Sequence, residues 1–333
     1  MMQKLKWIVP GALLGVGLVV WGISQYLNGI AETRLRDTLS QYNLQHHLHW
    51  QGLRTAFGVV TLTDVRFDLD EDSGWQAVRV KISDLTDTED RQRITLEIEG
   101  LSEFDAQNTS PVLHDLVGLP TGNANLPPLN ATVKLDARYD KDEVQGSLAL
   151  NQKDAIQLDI HMHLTQIGAL RAMVRMTTSG VEATAGRSAR NARGRARDMP
   201  DDTGWTDIRL KSLDAKLEDR GMVKRGIALY KRHNTVLDAE GGSIKSQQDK
   251  GFEQTLQSLE AMCRKNHMAL NTKDAEQTCH ALARFIANDK DTLRISVAPK
   301  DPVAIGQILA AYFPFFSDDS LLSLRELNIE VKS

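Results

Sequence analysis

The 333-residue chain lacks most of the features that announce a biochemical activity. It has no G-x-S-x-G elbow, no Walker loop and no glycine-rich dinucleotide fingerprint, so the common nucleophile and nucleotide sites are missing. Its 44 acids scatter through turns and polar strand positions, where proximity in sequence does not make a catalytic pair. No enzyme is expected, no catalytic residue is assigned, and no cofactor is called for. The net charge of −4 is not the polycation that grips nucleic acid, so no nucleic-acid partner is expected. No repeat of fixed period is present. The two cysteines say little by number, and their meaning depends on compartment.

Long apolar runs are also scarce, and the exception is at the N-terminus. Lys4 and Lys6 precede Trp7–Ile23, seventeen residues without a charge, which Ser24–Leu27 extend. That length spans a bilayer, and Trp7, Trp21 and Tyr26 sit near its ends, where amphipathic rings prefer the interface. The basic flank stays in the cytoplasm and the rest of the chain is exported. The reading is a single-pass protein of the bacterial inner membrane with most of its chain in the periplasm. A signal peptide cleaved near Gly29–Ala31 is the rival.

Beyond the anchor, apolar residues alternate with polar ones as in half-buried strands. One set is Val78, Val80 and Ile82, and another is Ile94, Leu96 and Ile98. Val133, Leu135 and Ala137 follow, then Leu148 and Leu150. The clearest run is Ile156, Leu158, Ile160, Met162 and Leu164, with Ala172, Val174 and Met176 after it. In "GVVTLTDVRFDLDED" the phase slips: Val60 and Leu62 point one way and Val65, Phe67 and Leu69 the other, as across a β-bulge. Helical spacing takes over near residue 219. Phe252, Leu256, Leu259 and Cys263 share one stripe, and Ala275, Cys279, Leu282 and Ile286 another. Asp274 and Gln277 have capping-box spacing. Asp301 and Pro302 read as a helix start, and Leu327, Ile329 and Val331 as a final strand.

The order predicts an α+β fold: an N-terminal transmembrane helix, then a curved, mainly antiparallel β-sheet with a C-terminal helical segment packed on it. The expected division is a cytoplasmic tail at 1–6, an anchor at 7–27, an exit helix and connector at 28–49, a β-rich region at 50–218, and a helical region with two late strands at 219–333.

Four groups could carry chemistry. Cys263 and Cys279 lie on the apolar stripes of consecutive helices, and export would join them as a disulfide, the alternative being two reduced core thiols. Their spacing to His267 and His280 does not suit zinc. Asp159, His161 and His163 alternate on one strand face, and His46, His47 and His49 follow the anchor. Both groups read as polar residues in water, so no metal site is assigned. Arg187, Arg190, Arg193, Arg195 and Arg197 form the one dense charge patch. It is either a solvated loop or a contact for the phosphates of phospholipid or lipopolysaccharide.

The stretch "WQGLRTAFGVVTLTDVRF", residues 50–67, together with a basic-flanked anchor and one-sided strands, resembles bacterial inner-membrane-anchored envelope proteins of the AsmA-like and YdgA-like families. The AsmA-like resemblance implies a curved β-groove facing lipid and a role in envelope lipid homeostasis or outer-membrane assembly. Its motifs are not catalytic and supply no site residues. The expected groove-lining residues are Val65, Phe67, Leu69, Ile156, Leu158 and Ile160. The expected function is a non-enzymatic membrane protein whose periplasmic domain binds lipid or an envelope-assembly protein. The alternative is a scaffold subunit of an envelope complex with a closed core and no ligand.

Overall fold

The computed structural model describes residues 46–56, 58–69, 73–105, 108–111, 126–168, 208–236, 238–240, 242–265, 272–312 and 324–333. The expected anchor at 7–27, the strand at Ala172–Met176 and the arginine patch at Arg187–Arg197 lie outside the described residues. Among the described residues no helix is long and apolar enough to cross a membrane. The chain divides by internal contacts into two compact units, with the main division between residues 140 and 141. The change from strand to helix at residues 219–222 falls within the second unit. Strands between 143 and 219 cluster with the helices.

Unit one is built from strands β1 (Leu48–His49), β2 (Gly52–Ala56), β3 (Val59–Asp68), β4 (Ser73–Asp87), β5 (Arg91–Asp105), β6 (Asn108–Pro111) and β7 (Leu129–Arg138). All pair antiparallel: β1 and β2 share one edge of β3, then come β4 and β5, and β6 and β7 share the far edge of β5. Val60, Leu62, Val65, Ala77, Ile82 and Leu96 form the buried cluster, with Leu48, Trp50, Leu53, Val80, Ile94, Ile98 and Leu101 packed against it.

That membership corrects the reading of the phase slip. Val60, Leu62 and Val65 are 1%, 3% and 7% exposed and belong to one cluster, so the slip returns the strand to the same face. At one level of the sheet the cluster takes a step of three residues in each neighbouring segment: Trp50 to Leu53, Leu62 to Val65, Ala77 to Val80, Ile98 to Leu101. The steps line up. Thr63 pairs with Arg79 and Val65 with Ala77, which sets Asp64 opposite Val78; Arg79 pairs with Glu99 and Gln76 with Ser102, which sets Val78 opposite Gly100. Gln51, between β1 and β2, falls opposite Asp64 by the same count. An extra residue thus crosses four neighbouring strand positions as a row. The row ends at β7, where the register shifts between Ile98 and Leu101 and the Gly100 N–H donates to Asn130 Oδ1 at 2.9 Å.

Asp64 and Gly100 hold φ of 51° and 72°, the left-handed conformation that single bulge residues adopt. Val78 is expelled from the core and is 59% exposed, so the expected set Val78, Val80 and Ile82 is split. A second bulge follows at Asp84, φ 54°, where the β4–β5 register shifts, and Thr95 Oγ1 donates to Asp84 Oδ2 at 2.8 Å.

The other face carries cross-strand ion pairs, among them Arg79–Glu99 at 2.9 Å and Lys81–Glu97 at 3.4 Å. Arg91 donates to both oxygens of Asp136, at 2.9 and 2.6 Å. That hydrogen bond is the main reason the Asp136 carboxyl sits below its ordinary range, with the Arg91 charge adding to it against partial desolvation. A lowered folded value means stability present above the unfolded carboxylate range and lost as pH falls through the folded value. Asp136→Asn should therefore narrow the difference between urea midpoints measured at pH 7 and pH 3. An unchanged difference would show that the pair does not couple to folding.

Unit two contains β8 (Glu143–Gln152), β9 (Ile156–Thr165), β10 (Arg209–Asp219), helix α1 (Met222–Asn234), helix α2 (Ile244–Lys265), helix α3 (Ala275–Ile286), β11 (Thr292–Val297), β12 (Val303–Ala304), helix α4 (Ile305–Tyr312), a short 3₁₀ turn (Leu324–Leu327) and β13 (Ile329–Lys332). Its sheet runs β8–β9–β10–β11–β13, antiparallel throughout, and β12 adds to β10. The helix expected from Asp301 starts later. Val303 and Ala304 pair with Leu210 and Arg209, and the Ile305 N–H donates to the Ile208 carbonyl at 2.8 Å, so sheet pairing takes the first residues.

Candidate functional site

Unit two's sheet has two sharply different faces, and the candidate site is the apolar one. Alternation along each strand meets in-register pairing across strands, so like residues form rows. One row is Leu150, Leu158, Leu217 and Leu293; the next is Leu148, Ile160, Ala215, Ile295 and Val331. A third is Gly146, Met162, Leu213, Val297 and Ile329, and Val144, Leu164 and Leu210 make a fourth.

Helix α3 covers the β11–β13 end of these rows. Asp274 caps it by accepting from the Gln277 N–H at 2.9 Å, as the capping-box spacing implied. Its buried residues Thr278, Cys279, Ala281 and Phe285 make one stripe. Ala281 and Phe285 pack with Leu293 and Val331, and Leu217, Ile295 and Ile329 border that cluster. At the start of β9, Ile156 is 7% exposed and packs with Leu126, Ala155, Leu217 and Met222 of α1. Outside these two clusters Leu148, Leu150, Leu158, Ile160, Met162 and Leu164 are only half-buried.

The expected groove residues therefore divide. Ile156 is core, whereas Leu158 and Ile160 lie on the half-covered face, which Met162 and Leu164 extend. In unit one Val65 is core. Phe67 stacks near Trp75 with ring centres 6.5 Å apart, and Leu69 lies beyond the end of β3, 42% exposed. Leu213 and Val297, which pair in register, belong to the same face and were legible only as strand residues, because sequence does not say which strands are neighbours.

The polar face is tied up in pairs. His163 Nε2 lies 2.8 Å from Glu143 Oε2, and Gln157 Nε2 donates to Asp159 at 3.1 Å. Register sets Ser147, His161 and Asp214 side by side on three strands, the residue types of a nucleophilic triad. Both Asp214 oxygens accept from Arg294, at 2.9 to 3.2 Å, so the carboxylate faces the guanidinium. Nor do Asp159, His161 and His163 gather, since alternate residues of one strand stand about 6.6 Å apart by the strand rise. Among the described residues no group of three His, Cys, Asp or Glu could hold a metal ion. His47 and His49 are instead fastened to the end of β3, to the Asp68 carbonyl at 2.8 Å and the Asp68 carboxylate at 3.2 Å.

The sulfurs of Cys263 and Cys279 are bonded, joining the last turn of α2 to α3, with Cα atoms 5.7 Å apart. Closing this loop is worth about 3 kcal/mol in the chain-entropy account. A shallow, water-open depression of about 450 Å³ flanks the start of α2, lined by Ser243, Lys245, Ser246, Asp249, Lys250 and Glu253. Its mixed charge and openness suit neither an acyl chain nor an anion.

The family model described as "Uncharacterized protein" matches residues 149–333. The chain belongs to this family. The family segment takes in nearly all of unit two, from within β8 to the last residue, including the half-covered face, the disulfide and α1–α4. No curated protein matches the chain.

Proposed function

We propose that the chain is a non-enzymatic, single-pass inner-membrane protein whose exported region binds a lipid acyl chain on the apolar face of unit two. The supporting observation is the row of half-buried Leu158, Ile160, Met162 and Leu164 beside Leu148 and Leu150. From Leu158 to Leu164 the strand rises about 20 Å. One leaflet of a bilayer's hydrocarbon core is about 15 Å deep, so the row matches an extended chain in length. The basic-flanked apolar run at 7–27 supports the location, and the resemblance to AsmA-like and YdgA-like proteins supports the ligand class.

Residues 30–333, released without detergent, should carry one phospholipid mass in native mass spectrometry, and Ile160→Glu should remove it without loss of β-sheet signal. A clean protein mass for the unaltered sequence would overturn the reading. The closed core of unit one, where Val60 and Ile82 are 1% and 2% exposed, favours a second role for that unit as a docking scaffold for an envelope protein. The clean mass would extend that role to the whole exported region.

A further inference from the structure

Burial on the apolar face of unit two changes along the strands, not only across them. On β8, Val144 and Gly146 are buried, Leu148 and Leu150 are half-buried, and Gln152 is buried again. On β9, Ile156 is buried, and Leu158, Ile160, Met162 and Leu164 are half-buried. Register sets these changes level with one another. Gln152 pairs with Ile156, so both strands are covered where β8 turns into β9. At the other end Val144 pairs with Leu164, Leu164 with Leu210, and Leu210 with Val303. Val144 and Val303 are both buried, so this last row is hemmed on both flanks, and Ile167, just beyond β9, is buried as well. On the α3 flank Leu293 and Val331 are buried. A residue that water barely reaches has protein above it, and an acyl chain lying on the sheet cannot run past it.

We infer that the apolar face of unit two is a blind site that holds one acyl chain of limited length, and not a passage along which lipid runs. The inference rests on the lipid reading and names the kind of chain the site accepts. A passage needs open ends, and this face is stopped by Ile156 at one end of β9 and narrowed by Val144 and Val303 at the other. The open rows from Leu158 to Leu164 span about 20 Å by the strand rise. A chain of that length fills them, and a longer one has to leave the face or displace a buried side chain. Length dependence is therefore the signature. An open apolar face gains from every added methylene, because each removes more apolar surface from water. A blind face gains only until the chain meets its stop.

The test is photolabelling of the full chain in dodecyl maltoside with a lysophosphatidylglycerol whose palmitoyl chain ends in a diazirine. Labelled peptides are mapped, and lauroyl, palmitoyl and behenoyl lysophosphatidylglycerols compete with the probe. Label should fall on the peptides of β8 and β9. The palmitoyl lipid should displace it better than the lauroyl lipid, and the behenoyl lipid about tenfold less well than the palmitoyl. Leu158→Trp fills the row next to Ile156, so the palmitoyl lipid should then compete less well while the lauroyl lipid competes as before. The length series on the unaltered chain decides by itself if that variant does not fold. Displacement that keeps improving up to the behenoyl chain, with label still on β9, would overturn the blind site and leave the lipid reading standing. Label absent from β8 and β9 would overturn the lipid reading and the blind site with it.

Discussion

Ile82→Ala should lower the unfolding free energy by about 3–4 kcal/mol, whereas Val78→Ala, four residues earlier on the same strand, should change it by less than about 0.5 kcal/mol. Simple alternation puts both on one face and predicts similar costs. In the fold Ile82 is 2% exposed inside the unit-one cluster and Val78 is 59% exposed. Removing three buried carbons from a site walled by Val60, Leu62 and Leu96 loses their transfer energy and leaves a cavity that two bulged strands cannot readily collapse. Chemical denaturation of the two variants decides the matter. Equal losses would mean that β4 runs through without the slip.

The second large effect belongs to Gly100. An added Cβ would lie 2.6 Å from Val78 Cγ2 and 3.1 Å from Val78 Cβ, at a residue whose φ is 72°. The left-handed backbone costs a non-glycine about 1–2 kcal/mol, and crowding against a β-branched neighbour adds a comparable amount. Gly100→Ala should therefore destabilise unit one by about 3 kcal/mol. In a Val78→Ala background the overlap with Cγ2 is gone while the 3.1 Å approach to Cβ stays, so the same change should cost less, about 2 kcal/mol. A cost that does not depend on residue 78 would separate Gly100 from the aligned row and leave it an ordinary turn glycine.

These two cases show why some of the fold was legible in the sequence and some was not. Alternation names the residues of β8, β9 and β11 well, because pairing and burial both follow period two there. The capping residue Asp274 and the Cys263–Cys279 pair were visible because helix chemistry is local. The face assignment after Asp64 was not. A bulge and a true change of face leave the same one-residue slip in sequence, and only the partners Ala77 and Leu101 separate them. The candidate site was half legible for a related reason. Leu158 and Ile160 announce an apolar face, but its degree of cover depends on where α3 docks, and α3 docks on β11 and β13. Ile156, on the same alternation, is sealed by Met222 from a helix more than sixty residues later.

The extra row that runs from Gln51 through Asp64 and Val78 to Gly100 behaves as a dislocation does in a crystal. Deleting any one of the four residues would throw that strand out of step with its neighbours. Deleting all four would heal the lattice and leave every apolar residue on the face it already occupies. Register and core composition are therefore written in separate places in this unit. The steps of three set which residues face the core, and the residues on either side of them can be exchanged for others of similar volume without changing that register.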